Sequence, residues 1–207
     1  MALTEDEDSH LEVQLYSEDG NLYVHHDIYL PDFPLCLAWM DCPPFLVDGS
    51  QVNIGNYIAV GTFSPAIEIW NLDVLDPLEP TATLGGLNDA SSGSSSKSGK
   101  KKGKKSAFAP GSHTEGVLSL SWNKTYRQVS VATDIFINKA LTTNILCVAI
   151  VMKALASGSA DQSVKIWDVT TQKCSFTFNH HSDKVRSLFV HSFPLQTNII
   201  KLFIYFS

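Results

Sequence analysis

The chain has 207 residues, 44% of them hydrophobic and 10% aromatic, which is enough apolar material for one core of ordinary size. Its net charge of −6 argues against a general nucleic-acid-binding protein, because attraction to phosphate requires basic surface. The cysteines lack CxxC spacing and paired Cys/His spacing, so we expect neither a zinc site nor a disulfide framework: Cys36, Cys42, Cys147 and Cys174. The absence of a signal-peptide pattern and of a long apolar run predicts a chain with no membrane contact.

The first ten residues are acidic, and we expect residues 1–10 to form a solvated N-terminal stub. Residues 11–87 then carry the first β-strand patterns. Within them, Tyr57–Leu72 (YIAVGTFSPAIEIWNL) aligns without a gap to Ala154–Val169 (ALASGSADQSVKIWDV), with Trp70 on Trp167. The chain therefore contains an internal repeat. A third, weaker copy is LEVQLYSE, at residues 11–18.

Three short segments alternate apolar residues with other residues, and the first two lie upstream of the two well-matched copies. These segments are Pro34–Trp39, Gly116–Trp122 and Lys184–Val190. Alternation at a period of two predicts a strand with one buried face, and we expect Trp39 and Trp122 to lie in the core. Strand pairs that recur and end in Trp-Asp are typical of the WD40 β-propeller, which has four strands per blade.

Residues 88–112 separate the first repeat from the second and are rich in Ser, Gly and Lys. With almost nothing to bury, this segment is predicted to be a disordered loop. A compact basic cluster suits an importin groove or RNA phosphates as well as plain solvation, and we favour nuclear import. No aromatic residue lies among these lysines, which argues against base stacking: Lys97, Lys100, Lys101, Lys102, Lys104 and Lys105.

Residues 113–179 read as a second blade that is interrupted at residues 129–153. Without that segment, the spacing from His113 to His181 falls within the roughly 40 to 45 residues of a WD40 repeat. The segment is either translated intron sequence or a natural inserted hairpin or helix. Residues 180–207 read as the start of a third blade, and residues 198–207 abandon the pattern in the same abrupt way.

Longer stretches resemble a family of nuclear WD40 proteins, the periodic tryptophan protein 1 family. The resemblance covers residues 9–197 apart from the interruption, and its most specific part is GNYIAVG…IEIWNLD followed by DPLEP and a lysine-rich loop. It implies a nuclear and nucleolar scaffold associated with ribosome biogenesis and rRNA synthesis. The chain departs from the family at both ends, because it lacks most of an acidic N-terminal region and ends after about three blades of strands.

The resemblance also implies a hydrogen-bonded set that ties a turn to the strands of the second blade. Its members are His113, Ser157, Ser159, Asp161 and Trp167. A buried indole N–H and a buried carboxylate each need a partner, which a loop His and a strand hydroxyl supply. A Ser/His/Asp set also allows a hydrolase interpretation, but the chain has no GxSxG motif and we expect no catalytic residue. The first blade carries Ser64 where the second has Asp161, so we expect no such network there.

Adjacent histidines occur at His25–His26 and again at His180–His181. Neighbouring residues on a strand point to opposite faces, so we expect that neither pair chelates a metal ion.

Together these features predict an all-β, WD40-type partial propeller of about two to three blades with a disordered basic loop. We expect a non-enzymatic scaffold in the nucleus, with no cofactor and no small-molecule substrate. Its expected partners are pre-ribosomal factors or histones, with importin and RNA contacting the lysines. The alternatives left open are a chromatin-binding or histone-binding WD40 module and a truncated product that does not fold stably.

Overall fold

A computed structural model describes residues 1–5, 8–44, 54–87, 108–123, 145–148, 154–192 and 200–203. The regular elements of these residues are all β-strands, and none of them is a helix long and apolar enough to span a membrane. In chain order the strands are β1 Ala2–Glu5, β2 Asp8–Tyr16, β3 Leu22–Leu30, β4 Pro34–Met40, β5 Tyr57–Thr62, β6 Ala66–Asn71, β7 Ala82–Gly85, β8 Val117–Trp122, β9 Ile145–Val148, β10 Ala154–Ser159, β11 Val164–Asp168, β12 Lys173–Phe178, β13 Phe189–Ser192 and β14 Ile200–Phe203.

Two of the sheets are four-stranded and antiparallel, as WD40 blades are. The first blade has the order β4-β5-β6-β7, and the second has the order β12-β11-β10-β8. Strand β4 packs against β8 and strand β7 contacts β12, so the two sheets lie face to face with equivalent strands opposite each other. The all-β partial propeller predicted from the repeat is confirmed.

The sheets pack face to face through apolar clusters, and each repeated Trp lies in one of them. Trp70 packs with Leu11 and Ile28, which joins the first blade to the sheet formed by β1, β2 and β3. Trp167 packs with Leu84 and other residues of the first blade, which joins the two blades. Each large side chain buried in this way contributes about 1.5–3 kcal/mol to stability. The fold therefore depends on contacts between neighbouring sheets.

A glycine in the second strand of each blade lies directly beneath the segment that begins the next repeat. A Cβ atom on Gly61 would lie 2.9 Å from Val117 Cγ1, and one on Gly158 would lie 2.6 Å from Val185 Cγ1. The two contacts are equivalent, because Gly61 aligns with Gly158 in the repeat. Only glycine allows the two backbones to approach this closely.

Several expected boundaries differ from the strands. Strand β2 begins at Asp8, so the acidic stub expected over residues 1–10 ends inside it, and residues 2–5 form β1. Of the loop expected over residues 88–112, the structure describes residues 108–112, where Phe108 forms a β-bridge with Leu87. Residues 88–107, with all six lysines of the basic cluster, lie outside the described residues.

The sheet with the order β13-β14-β9 differs from the start of a third blade that the sequence predicts over residues 180–207. Strand β13 begins at Phe189, although the alternation predicts a strand over residues 184–190. It pairs with β14, which lies within residues 198–207, and β14 pairs with β9, which lies within the interruption at residues 129–153. The two segments that break the repeat therefore meet in one sheet. The remainder of the interruption lies outside the described residues.

Two expectations about individual side chains are wrong. His25 and His26 do not point to opposite faces of the strand, because a β-bulge leaves His25 without an opposite residue and brings the two Nδ1 atoms within 2.7 Å. Trp39 is 44% exposed, whereas Trp122 is buried as expected. Ala38 and Met40, on either side of Trp39, are buried in the apolar cluster shared with the second blade, so the Trp39 side chain lies on the opposite face of β4.

Cys36 and Cys174 are free thiols. Burial raises the pKa of the Cys36 thiol to about 12, so this side chain stays protonated at neutral pH. A buried, protonated thiol is chemically inert.

The glycine contacts lead to a direct test of sheet packing. Gly158→Ala should lower the free energy of unfolding by roughly 1–3 kcal/mol, because the added methyl overlaps Val185. Urea unfolding followed by Trp fluorescence measures the change. Val185→Ala removes the overlapping atom, so it should cost less in the Gly158→Ala background than alone. Additive effects of the two substitutions would contradict the proposed contact.

Candidate functional site: the His113 network

The second blade holds a chain of polar side chains drawn from four places. His113 lies in the turn before β8, Ser157 lies in β10 and Trp167 lies in β11. Asp161 lies in the tight turn between β10 and β11. In that turn Asp161 Oδ1 accepts a hydrogen bond from Ser163 N at 3.0 Å, which is the local pattern that makes Asp a good turn residue.

The chain of hydrogen bonds runs from the indole to the carboxylate. Trp167 Nε1 donates to Ser157 Oγ at 2.8 Å. Ser157 Oγ in turn donates to His113 Nε2 at 2.7 Å, and His113 Nδ1 donates to Asp161 Oδ2 at 3.0 Å. This direction is the one in which every donor meets an acceptor, because the indole can only donate and the carboxylate can only accept. It assigns the neutral Nδ1–H tautomer to His113.

The charge states follow from the surroundings. Burial is the main cause that lowers the pKa of His113, and the hydrogen bond to Asp161 opposes it only in part, so the ring is neutral at pH 7. For Asp161, burial alone would raise the pKa, but hydrogen bonds from His113, Ser163 and Thr114 N outweigh it and hold the pKa of the carboxyl below its ordinary value. Asp161 is therefore the negative end of the network.

Ser159 holds the same turn by separate contacts. Its Oγ lies 2.9 Å from Gly116 O, to which it donates, and it accepts a hydrogen bond from Asp161 N at 3.1 Å. The structure thus brings together all five residues expected in the network, with Ser159 on the turn side and Ser157 on the indole side. The bonds of His113 to Ser157 and Asp161, and the bond from Ser159 Oγ to Gly116 O, cross between the turn before β8 and the β10–β11 hairpin.

Ser163 is a member that sequence reasoning missed. Its Oγ donates to Asp161 Oδ1 at 2.6 Å and lies 3.1 Å from His113 Nδ1. The signal was the spacing, because a Ser two residues after a turn Asp is placed to donate to its carboxylate.

The connectivity Ser157–His113–Asp161 matches that of a hydrolase triad, but its surroundings do not. Ser157 and His113 are both 0% exposed, and Ser157 Oγ already accepts the indole N–H. A nucleophile must reach a substrate carbonyl, and this hydroxyl is closed in by protein. The geometry supports a structural role, in which the network clamps the turn onto the blade.

The first blade has a different solution at the equivalent place. Val60 stands where the second blade has Ser157, and Trp70 Nε1 donates instead to Glu68 Oε2 at 3.0 Å. Burial raises the pKa of Glu68, and the bond from Trp70 opposes that shift. Ser64 Oγ accepts a hydrogen bond from Ala66 N within its own turn. The indole requirement is met in both blades, but the His–Asp clamp belongs to the second.

The fold and the network define a WD40-repeat protein. The family model described as "WD domain, G-beta repeat" matches residues 107–168, which include every member of the network. A solved structure titled "Structure of U3-55K" is similar with a TM-score of 0.41 and 20% identity, covering 88% of this chain and 38% of that one.

The relatives found among curated proteins include Periodic tryptophan protein 1 of Saccharomyces cerevisiae, which is 36% identical over 80% of this chain and 24% of the relative. An uncharacterised WD repeat-containing protein of Schizosaccharomyces pombe is 41% identical over 86% of this chain and 28% of its own length. The Drosophila melanogaster homologue of Periodic tryptophan protein 1 is 31% identical over 90% of this chain and 31% of its own length. The resemblance expected from the sequence is confirmed, and the chain spans about a quarter to a third of these relatives.

The contribution of the Asp161 carboxylate to stability can be tested by an isosteric substitution. Asp161→Asn should lower the free energy of unfolding by roughly 2–4 kcal/mol, because it removes the charged acceptor of hydrogen bonds from His113, Ser163 and Thr114 N, the first two of them partly buried. Asp168→Asn is the matched control, since Asp168 accepts bonds from Thr170 N and Thr171 Oγ1 in the next turn. It should cost less than about 1 kcal/mol. Equal losses in urea unfolding would refute the special role of Asp161.

The buried neutral imidazole makes stability depend on pH. Because the pKa of His113 is lowered in the folded chain, the unfolded chain binds a proton at this residue first as the pH falls below about 6.5. The free energy of unfolding should therefore decrease from pH 7 to pH 5. The depressed pKa of Asp161 adds a further loss only below about pH 4.

Urea unfolding at several pH values measures this slope. His113→Gln should flatten it between pH 7 and pH 5, whereas His180→Gln, at an exposed position beside His181, should change it less. An NMR titration of the His113 ring tests the same point without a substitution, since the ring should bind its proton at a lower pH than an ordinary imidazole does. A ring that titrates at its ordinary pKa would contradict this account.

Proposed function

We propose that the chain is a non-enzymatic WD40 scaffold for protein interactions in the nucleus and nucleolus, acting in ribosome biogenesis. The observation that carries the proposal is the similarity to Periodic tryptophan protein 1 over most of this chain. The resembling stretches belong to a family associated with rRNA synthesis and ribosome production. A scaffold is also consistent with the site, whose catalytic-type residues are buried.

The binding surface that we propose is the exposed rim of the His113 network. Thr114 and Glu115 in the turn before β8 are exposed, and Gln162 in the β10–β11 turn is exposed beside them. Asp161 Oδ2 accepts from Thr114 N at 3.0 Å, so the network fixes the backbone of both turns. Binding residues on loops held by a rigid scaffold lose little entropy when a partner binds. Glu115 makes this rim suitable for a basic protein segment.

Co-purification from cells tests the surface. Glu115→Lys combined with Gln162→Ala should reduce recovery of pre-ribosomal proteins and pre-rRNA by about tenfold, the effect of losing roughly 1.4 kcal/mol of binding. The control is Thr83→Ala, on the exposed side of β7. Recovery of histones in place of pre-ribosomal particles would favour the chromatin-binding alternative. Unchanged recovery of both would overturn this surface.

A second variant separates import from RNA contact. Replacing the six lysines of residues 97–105 by Ser should exclude the chain from the nucleus if importin reads them. An import signal fused to the N-terminus should then restore both nuclear localisation and co-purification. If localisation returns without co-purification, the lysines contact RNA or a partner directly.

A further inference from the structure

A second group of polar side chains lies away from the His113 network, on the hairpin of β2 and β3. Glu12 in β2 is directly opposite Asp27 in β3, and His10 is opposite Tyr29. Directly opposite residues share a face of the sheet, as do residues two apart on one strand. His10, Glu12 and Asp27 therefore share one face, and Leu11 and Ile28 on the other face pack into the apolar cluster around Trp70.

The three side chains are close enough to bind one ion. Each offers one imidazole nitrogen or carboxylate oxygen, and these atoms all lie within 4.8 Å of one another. All three side chains are half-buried. Two strands contribute to the set, so an ion held there would link β2 to β3.

The carboxylate of Asp27 lacks a partner that would otherwise explain its position. Among the residues that the structure describes, Asp27 Oδ1 is a buried atom with no hydrogen-bond partner. Neither Asp27 nor Glu12 forms an ion pair with a Lys or Arg of the described chain. A buried carboxylate oxygen without a partner is costly, and two neighbouring carboxylates also repel each other. A cation between them would remove both penalties.

Neighbouring side chains orient two of the three ligands. Gln14 Nε2 donates to Glu12 Oε2 at 2.6 Å, which holds the Glu12 carboxylate towards its own strand. The His10 ring packs against the Tyr29 ring with centroids 6.3 Å apart. Hydrogen bonds and packing of this kind set ligand orientation in metal sites.

We propose that His10, Glu12 and Asp27 form a binding site for a divalent transition-metal ion, with Zn²⁺ as the best match. Zinc takes His nitrogen and Asp or Glu oxygen as ligands, and a site with three protein ligands leaves a fourth position for water. Imidazole disfavours Mg²⁺ and Ca²⁺, which use sets of six or more oxygens. The site differs from the His25–His26 pair on the same strand, whose Nδ1 atoms satisfy each other by a hydrogen bond.

Metal titration of the purified 207-residue chain, after removal of bound metal by a chelator, tests the site. Isothermal titration with Zn²⁺ should show one site per chain, and saturation should raise the melting temperature. Co²⁺ should give the visible absorption of a four-coordinate site. Asp27→Asn and His10→Gln should each weaken Zn²⁺ binding at least tenfold, and Mg²⁺ should have no effect.

The matched control is His25→Gln combined with His26→Gln, which removes two nearby imidazoles and leaves the three ligands intact. This variant should bind Zn²⁺ as the unchanged chain does. Urea unfolding checks that each variant folds, and Asp27→Asn is the conservative choice because it preserves shape. Equal Zn²⁺ binding by Asp27→Asn and the unchanged chain, or binding lost in the His25/His26 control instead, would overturn the proposal. So would the absence of any response to Zn²⁺ in the folded chain.

Discussion

The buried indole N–H of Trp167 imposes a requirement that the second blade is built to meet. The ring must lie between the two blades to fill their shared apolar cluster, and its N–H must then find an acceptor away from water. Ser157 is that acceptor, and His113 and Asp161 extend the chain until a partly solvated carboxylate ends it. Removing any link leaves a buried polar atom unpaired. Packing between sheets and the shape of the exposed turns thus rest on one set of bonds.

The parts of the fold that sequence could predict are those encoded by local repetition. Trp70 and Trp167 recur with the same neighbours, and alternating residues before each repeat indicated β4 and β8. The His113 network was also predicted, through the resemblance to WD40 blades that implies this set of residues, and the need of a buried indole N–H for an acceptor agrees with it. The pairing of strands that lie far apart in the chain could not be predicted from the sequence. Nothing in the residues of β9 or β14 shows that they meet, since neither follows the repeat and more than fifty residues separate them.

The prediction of where a side chain points was wrong where the direction depends on how two strands pair. The rule that neighbouring residues alternate holds for a regular strand, but the bulge at His25 is a property of how β3 pairs with β2. The same dependence hid the group of His10, Glu12 and Asp27, which becomes visible only when the register of two strands is known. Ser163 is a milder case, in which a short-range signal was present and its meaning became clear only from the geometry of the turn.

The β-bridge between Leu87 and Phe108 has a consequence for how this molecule can change over time. It brings the two ends of the lysine-rich stretch together beside β7, and Ala109 N donates to Gly86 O at 2.8 Å to hold them there. The packing of the sheets therefore does not depend on how many residues lie between Leu87 and Phe108. Doubling such a length costs only about 0.6 kcal/mol in closure entropy. Lysines and serines can be gained, lost or rearranged there over generations while the blades on either side keep their register.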